Sequence, residues 1–213
     1  RAGDTRFQRH ALDLDAGFVI PDAMGQAPRV QIPVIRAGRF RLVVVDDAGS
    51  DWSRAASLPT GITDARVAWR GDFELLLAAD RAEGGRFLRR YRYRPVLEPA
   101  GEPMELPGGP MWTLGGRIWI HRDGMLFGYD GRGEPLQVPL PAGEWRPLDA
   151  HVAAKRVSLL LRRPDGRVAL LRHGLEPGSV SDAEAQCTAR APCGLADRHG
   201  KVADRGYAVF LGD

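Results

Sequence analysis

Apolar residues recur along the chain in short runs separated by polar turns, and five of these runs share one pattern. Each begins at a small or polar residue and continues as a strand, over residues 38–45, 71–78, 116–121, 155–161 and 204–211. The first and third strand positions are apolar, as at Phe73 and Leu75, which is the alternation expected of a β-strand. The opposite face is also apolar, as at Val43 and Leu76, so we expect sheets that are covered on both faces.

Turn signals rich in Asp and Gly follow four of the five runs. They lie at residues 46–49, 80–85, 122–124 and 163–166. Asp-Gly and Pro-Asp-Gly predict tight hairpin turns because glycine readily adopts the positive φ that such turns need. Return strands are therefore expected over residues 52–58, 86–94, 125–129 and 167–173. Each unit is predicted to be an antiparallel hairpin.

The spacing of these units predicts the architecture. The interval is about forty residues, the length of a four-stranded propeller blade, and five blades need about 200 to 225 residues. The chain has 213 residues, so we predict one all-β domain over residues 1–213, folded as a small five-bladed β-propeller. The last run ends near the C-terminus after one strand, so residues 7–14 would complete its blade and both termini would close the ring. A β-sandwich is the alternative, because its short strands and frequent turns look similar in sequence.

Two stretches interrupt the repeat and are predicted to be irregular insertions, at about residues 16–33 and 177–201. The first is rich in proline. The second is expected to contain a helical turn over residues 181–185, because Ser181 and Glu184 have the spacing of a capping box. Binding residues concentrate on loops held by a rigid scaffold, so both insertions are candidate functional loops.

The only two cysteines, Cys187 and Cys193, stand six positions apart in the second insertion. We predict a disulfide between them, worth about 2 kcal/mol in the chain-entropy model. Such bonds persist mainly in oxidising compartments, so a periplasmic or secreted protein is expected. The first residue, Arg1, is not methionine, so the chain is expected to be a processed or trimmed product, which by itself says nothing about export. Two reduced cysteines that lie close by chance are the alternative.

Charge and composition narrow the range of partners. The chain has 30 basic and 27 acidic residues, and this small excess gives no strong basic field, so nucleic acid is not the expected partner. No apolar run approaches the roughly 18 residues of a membrane helix, so no membrane span is expected. The acidic loops at residues 46–51 and 130–134 lack the ligand spacing of a calcium loop, and the two cysteines lack that of a zinc site. We expect no metal and no other cofactor.

The most distinctive run is residues 86–94, in which arginine alternates with aromatic and apolar residues. A strand places one group on one face and the other group on the opposite face: Phe87, Arg89, Tyr91 and Tyr93 against Leu88, Arg90, Arg92 and Arg94. We predict that Arg90, Arg92 and Arg94 bind an acidic protein surface, with Tyr91 and Tyr93 as an aromatic rim. Two alternatives remain: an edge strand kept soluble by its charge, and a surface for phosphates and stacked bases.

His121 is a second candidate binding residue. It occupies a strand position that is apolar in the other runs, and a polar residue in such a position can mark a site. The alternatives are a half-buried histidine that is hydrogen-bonded to a neighbouring blade, and a strand end that reaches solvent before Asp123 and Gly124.

The motif search favours binding over catalysis. The sequence contains no Gly-x-Ser-x-Gly, no His-Glu-x-x-His and no phosphate-binding glycine loop. We therefore expect an exported protein-binding module, for instance a periplasmic inhibitor or immunity protein that blocks a secreted toxin or enzyme. The alternative is a carbohydrate-active or other hydrolytic propeller whose carboxylates meet in a central channel.

Overall fold

The computed structural model describes residues 17–20, 22–26, 29–46, 49–71, 73–93, 96–154, 156–175 and 181–188. Within these residues all regular structure is β-strand, and the strand pairs are antiparallel. The prediction of an all-β protein built from repeated antiparallel hairpins is confirmed. The strands are β1 (Gly17–Val19), β2 (Met24–Gln26), β3 (Arg29–Arg36), β4 (Arg39–Asp46), β5 (Gly49–Trp52), β6 (Ala56–Ser57), β7 (Ile62–Arg70), β8 (Glu74–Arg81), β9 (Arg86–Arg92), β10 (Glu98–Pro99), β11 (Met104–Leu106), β12 (Met111–Leu114), β13 (Arg117–Arg122), β14 (Met125–Tyr129), β15 (Leu136–Pro139), β16 (Arg146–Ala153), β17 (Arg156–Arg162), β18 (Arg167–Gly174) and β19 (Ser181–Thr188).

The strands form four sheets, which we name A to D in chain order. Sheet C has the order β12-β13-β14-β15 and sheet D the order β16-β17-β18-β19. Sheet B has the order β10-β9-β8-β7, and β11 also pairs with β9. Sheet A has the order β1-β3-β4-β5, with β2 on β3 and β6 on β4. Sheets B, C and D are therefore meanders, in which successive strands are neighbours.

The chain divides into two compact units, Arg1–Glu105 and Leu106–Asp213. Sheets A and B belong to unit 1, and sheets C and D belong to unit 2. The boundary falls within β11, near the middle of the chain. The single domain over residues 1–213 stays a prediction.

The core of unit 1 is formed by residues from both of its sheets. Phe40 of sheet A and Leu75, Leu77 and Tyr91 of sheet B belong to one cluster of buried side chains. The rings of Phe40 and Tyr91 make an edge contact with centroids 5.3 Å apart. Leu76, which follows Leu75 and therefore points to the other face of β8, is also fully buried. Sheet B is thus covered on both faces, as its apolar pattern predicted.

The core of unit 2 combines residues of sheets C and D. Trp119 and Leu126 pack with Leu159 and Leu161 in one buried cluster. Trp119 lies against Gly128 on the neighbouring strand, where a Cβ would approach a ring carbon to 2.6 Å. Only glycine fits beneath this tryptophan, which explains a glycine in the middle of a strand.

The predicted hairpins β4–β5, β8–β9, β13–β14 and β17–β18 are present. In β13–β14 the turn residues Asp123 and Gly124 have φ of 52° and 73°, the backbone of a tight two-residue turn. The turns that precede these hairpins were not predicted, yet the β3–β4 turn of sheet A uses Ala37 and Gly38, with φ of 48° and 68°, in the same way.

Two predictions about the insertions need correction. Residues 181–185 are not a helical turn, because they begin β19, which pairs with β18 from Ser181 opposite His173 onward. Residues 16–33 are not wholly irregular, because they contain β1, β2 and the start of β3. In both places pairing with a longer strand outweighs local preference, since each added strand satisfies the backbone groups of its neighbour.

Other predictions fall outside the described residues. These are the fifth run at residues 204–211, the strands expected at residues 7–14, and Cys193. The backbone of Cys187 lies in β19 opposite Val168, while its side chain is outside the description. The disulfide therefore stays a prediction.

Candidate docking surface on sheet B

The arginine-rich run forms β9, which has neighbours on both sides. Its residues pair with β8 along the strand, as Tyr91 does with Leu75. On the other side, Arg92 and Tyr91 pair with Glu98 and Pro99 of β10. Strand β9 is therefore not a free edge, and the alternative of an edge strand kept soluble by charge is not supported.

Tyr91 and Tyr93 are core residues, which corrects their prediction as an aromatic rim. Tyr91 is 0% exposed and Tyr93 is 7% exposed. The ring of Tyr93 lies edge-on to Trp69 with centroids 5.3 Å apart, and its hydroxyl donates to the carbonyl of Gly71 at 3.0 Å. Their face of β9 was identified correctly from the alternation, but this face is covered by sheet A. Neither tyrosine is available to a partner.

Arg90 and Arg92 lie on the opposite face, and glutamates flank them there. Arg92 is exposed, and its cross-strand neighbours are Glu74 on β8 and Glu98 on β10. Arg90 is half-buried and forms an ion pair with Glu74 at 3.9 Å. Arg94 lies outside the described residues. The described part of this face thus sets two arginines against two glutamates, so its charge is close to balanced.

Phe73 is the residue whose environment departs most from the sequence prediction. It was expected as the first buried position of a strand, but it lies in the turn before β8 and is 60% exposed. Val96 is 40% exposed, and these two are the large hydrophobic residues that stand out as exposed in the described part of the chain. The turn signal at Gly71 could have placed Phe73 outside the strand.

The two exposed residues lie at one end of sheet B. The backbone N–H of Tyr93 donates to the carbonyl of Phe73 at 3.1 Å, which ties the turn to the end of β9. Phe73 immediately precedes Glu74, and Val96 comes two residues before Glu98, while Arg92 pairs with both glutamates. We call Phe73, Arg92 and Val96 the Phe73 surface. It combines two apolar groups with one exposed cation.

Other arginines near this sheet have carboxylate partners. Both terminal nitrogens of Arg81 donate to Glu105, at 3.0 and 2.9 Å. This hydrogen-bonded pair lowers the pKa of Glu105 and raises that of Arg81. Arg86 is paired with Asp80, its cross-strand neighbour on β8. The arginine content of this region is thus largely balanced by local ion pairs.

His121 lies in unit 2, whereas the Phe73 surface lies in unit 1. It is half-buried in β13 opposite Leu126, and its backbone N–H donates to the carbonyl of Pro110 at 3.2 Å. Gly109, with φ of +128°, lies against the His121 carbonyl, where a Cβ would come within 2.5 Å. These contacts give the backbone of His121 a structural role. Its function as a binding residue stays a prediction.

Comparison of the chain with models of protein families, with curated proteins and with solved structures finds no match in any of the three. Among the described residues, no group of three or more His, Cys, Asp or Glu side chains is placed to hold a metal ion. A search of the same residues finds no helix with the length and hydropathy needed to cross a membrane.

Proposed function

We propose that the protein is an exported protein-binding module that docks through the Phe73 surface, with a secreted toxin or enzyme as the partner that it inhibits. The observation that supports docking most strongly is the 60% exposure of Phe73. Aromatic residues are enriched at interface cores, and exposing such a ring to water is unfavourable. A partner that provides an apolar pocket for this ring would remove that cost.

The charges of the surface suggest the polar part of the contact. Arg92 is exposed, whereas Arg90 already pairs with Glu74 at 3.9 Å. An acidic group of the partner would pair with Arg92 through forked hydrogen bonds. We therefore propose a partner surface with an apolar pocket and a carboxylate at its edge.

The binding proposal is tested with the full chain. Its partner is captured from the periplasmic fraction of the source organism and identified, and the Kd is measured with the purified pair. Phe73→Ser is expected to weaken binding about thirtyfold, since a central anchor contributes about 2 kcal/mol or more. Arg92→Gln should weaken binding less and flatten its salt dependence. Arg167→Gln serves as a matched control, because Arg167 is an exposed arginine beside Asp165 on sheet D.

Binding by Phe73→Ser at the affinity of the unchanged protein would rule out the Phe73 surface as the interface. The fold of each variant is checked by urea unfolding. Phe73 is exposed, so its substitution is expected to leave the unfolding midpoint nearly unchanged.

We propose further that the four sheets are blades of a five-bladed propeller. Support comes from their succession along the chain as four antiparallel sheets, three of them meanders, at intervals that fit propeller blades. Residues 204–211 and 7–14 would form the fifth blade. An experimental structure with two sheets packed face to face would favour the β-sandwich instead.

Export is supported by the cysteine spacing and is tested separately. Protein purified from its native compartment is analysed by mass spectrometry before and after reduction. A gain of two protons on reduction is expected if Cys187 and Cys193 are bonded. An unchanged mass would remove the main support for an oxidising compartment.

A further inference from the structure

Arg39 and Arg41 of sheet A differ in their pairing from the arginines of sheet B. Arg36 and Arg39 lie opposite each other on either side of the β3–β4 turn, and Arg41 follows on the same face of β4. In the described part of the chain no ion pair includes Arg39 or Arg41, whereas several arginines of sheet B are each paired with a carboxylate. Like charges that lie side by side on a sheet are unfavourable. Arg39 and Arg41 therefore keep a positive charge that a partner can neutralise.

Both side chains lie on the face of sheet A that points away from the unit 1 core, because Phe40 and Leu42 between and beyond them belong to that core. Arg39 is exposed and Arg41 is half-buried. The guanidinium of Arg41 lies over the ring of Trp52, 5.8 Å from its centroid. A guanidinium held over an indole keeps the N–H donors along its edge available for a second partner.

Two contacts place the β3–β4 turn and Phe73 at the same end of unit 1. Phe40 directly follows Arg39, and its ring centroid lies 5.3 Å from that of Tyr91. Tyr91 is about 7 Å along β9 from Tyr93, at the usual rise of a strand. The backbone N–H of Tyr93 donates to the carbonyl of Phe73 at 3.1 Å. The arginines of sheet A and the Phe73 surface therefore fit within one interface of standard size, about 800 Å² on each partner.

The chemistry of this region favours an acidic protein as the partner. Guanidinium groups match the geometry of carboxylates, and the apolar ring of Phe73 nearby suits an apolar pocket on the same protein. Single-stranded nucleic acid binds through bases stacked on aromatic rings. One face of the Trp52 ring is already covered by Arg41, which leaves less of it for a base.

We propose that Arg39 and Arg41 extend the docking surface onto sheet A and bind a cluster of carboxylates on an acidic protein partner. This inference rests on the proposed function, because the same partner would contact Phe73, but the arginine site is tested by itself. Each guanidinium donates forked hydrogen bonds to a carboxylate. The paired charges also speed association, because they attract an acidic partner from a distance.

The probe for the arginine site is a fluorescently labelled, N-acetylated hexaglutamate amide, mixed with the full chain at low ionic strength. Its Kd is measured by fluorescence anisotropy, and saturable binding is expected. Arg39→Gln and Arg41→Gln should each weaken peptide binding about threefold, and the double variant about tenfold, the effect of losing exposed ion pairs. Raising the salt concentration should remove most of the difference between the double variant and the unchanged protein.

Arg156→Gln is the matched control. Arg156 is an exposed arginine that begins β17 as Arg39 begins β4, and its cross-strand neighbours Ala153 and Gly174 are uncharged. This variant should bind the peptide as the unchanged protein does. Replacing Arg39 and Arg41 by lysine keeps both charges and should retain binding within about threefold. Arg39→Gln alone, at an exposed position, keeps the test decisive if the double glutamine variant does not fold.

The outcomes separate the arginine site from the Phe73 surface. Phe73→Ser should bind hexaglutamate normally, because this peptide has no apolar anchor. Equal peptide affinity in the unchanged protein and the double glutamine variant would overturn the arginine site and leave the Phe73 proposal standing. Weakened peptide binding by the double variant, with unchanged binding of the purified partner by Phe73→Ser, would support the arginine site and reject Phe73 as an anchor. Tighter binding of hexathymidylate than of hexaglutamate would favour nucleic acid and would overturn the acidic protein.

Discussion

Sheets B and D each begin with a strand that carries a β-bulge, β7 and β16, and the two strands are contacted in different ways by the residues that cover them. Residues 64–68 of β7 and 149–153 of β16 share the sequence Asp-Ala-x-Val-Ala. In each strand the register shifts immediately before the aspartate. In each, the aspartate Oδ1 accepts from the N–H of the following alanine at 2.8 Å. The same β-bulge, with an aspartate side chain accepting from the next backbone N–H, therefore occurs once in each unit.

The difference lies in what covers each strand. In unit 1 the carboxylate of Asp22 accepts from the backbone N–H of Val67 at 2.9 Å, and the Asp22 carbonyl accepts from the Trp69 indole. In unit 2 the turn before β13 approaches the backbone instead, and a Cβ on Gly115 would come within 2.4 Å of the Ala150 carbonyl. A side-chain acceptor can tolerate small shifts, whereas a close backbone contact cannot. Unit 2 should therefore be more sensitive to one added methyl group.

The largest expected effect is that of Gly115→Ala. Gly115 has φ of +55° and no room for a Cβ, so we expect a loss of about 3 kcal/mol of unfolding free energy from backbone strain and overpacking together. Gly38→Ala is the matched control in sheet A, because Gly38 has φ of +68° with open space around it. It should cost about 1 kcal/mol. Urea unfolding measures both, and equal losses would show that the close contact with Ala150 is unimportant.

A smaller loss of unfolding free energy is expected when Asp22, which accepts a hydrogen bond from the backbone of β7, is replaced. Asp22→Ala leaves the buried N–H of Val67 without its acceptor, which should cost about 2 kcal/mol. Asp22→Asn keeps an acceptor oxygen and should cost about half as much. The same urea measurement applies. If the asparagine variant lost as much as the alanine variant, the charge of Asp22 would matter more than its hydrogen bond.

The bulge aspartates should give smaller and nearly equal effects. Asp64→Ala and Asp149→Ala both remove the hydrogen bond to the N–H of the following alanine, which is worth about 1 kcal/mol. Asp64 also pairs with Arg66 at 3.1 Å, but its side chain is 51% exposed, and exposed ion pairs add little. His151 occupies the place of Arg66 in β16 and is exposed. A clearly larger loss for Asp64→Ala would show that the Arg66 pair distinguishes the two bulges.

These bulges also show which strands could not be predicted from the sequence. Strands β4, β8, β13 and β17 and the return strands β9, β14 and β18 were predicted, because apolar runs and Asp-Gly turns are local signals. The return strand of sheet A was predicted over residues 52–58, whereas β5 covers Gly49–Trp52 and β6 covers Ala56–Ser57. The strands that precede the hairpins were missed; in β7, for example, a bulge breaks the alternation at Asp64 and polar residues interrupt the apolar pattern. In β19 the Ala- and Glu-containing sequence suggests a helix, and pairing with β18 decides otherwise.

For the candidate site, too, the sequence predicted what depends on one strand and not what depends on contacts between strands. Alternation placed Tyr91 and Arg89 on one face of β9 and Arg90 and Arg92 on the other. Which face is buried depends on sheet A, which packs Phe40 against Tyr91. The glutamates beside Arg92 come from two other strands, so only the register brings Glu74 and Glu98 to it. The residue pattern within a single strand does not specify this register between strands.

The smallest expected effect concerns the hairpin ends of sheets B and D in acid. Arg81 before the β8–β9 turn pairs with Glu105 on β11, whereas Asp165 in the β17–β18 turn lies near Arg163 and Arg167 of its own hairpin. The pair with Arg81 lowers the pKa of Glu105 in the folded state. The stabilisation is therefore present above the ordinary glutamate pKa and is lost as the pH falls through the lower folded value.

Glu105→Gln should show a smaller loss of Tm across this acidic window than the unchanged protein, while both behave alike near neutral pH except for a small constant offset. Glu102→Gln is the control, because Glu102 is exposed in the same segment. Parallel acid dependence in Glu105→Gln and the unchanged protein would show that solvent screens the pair completely.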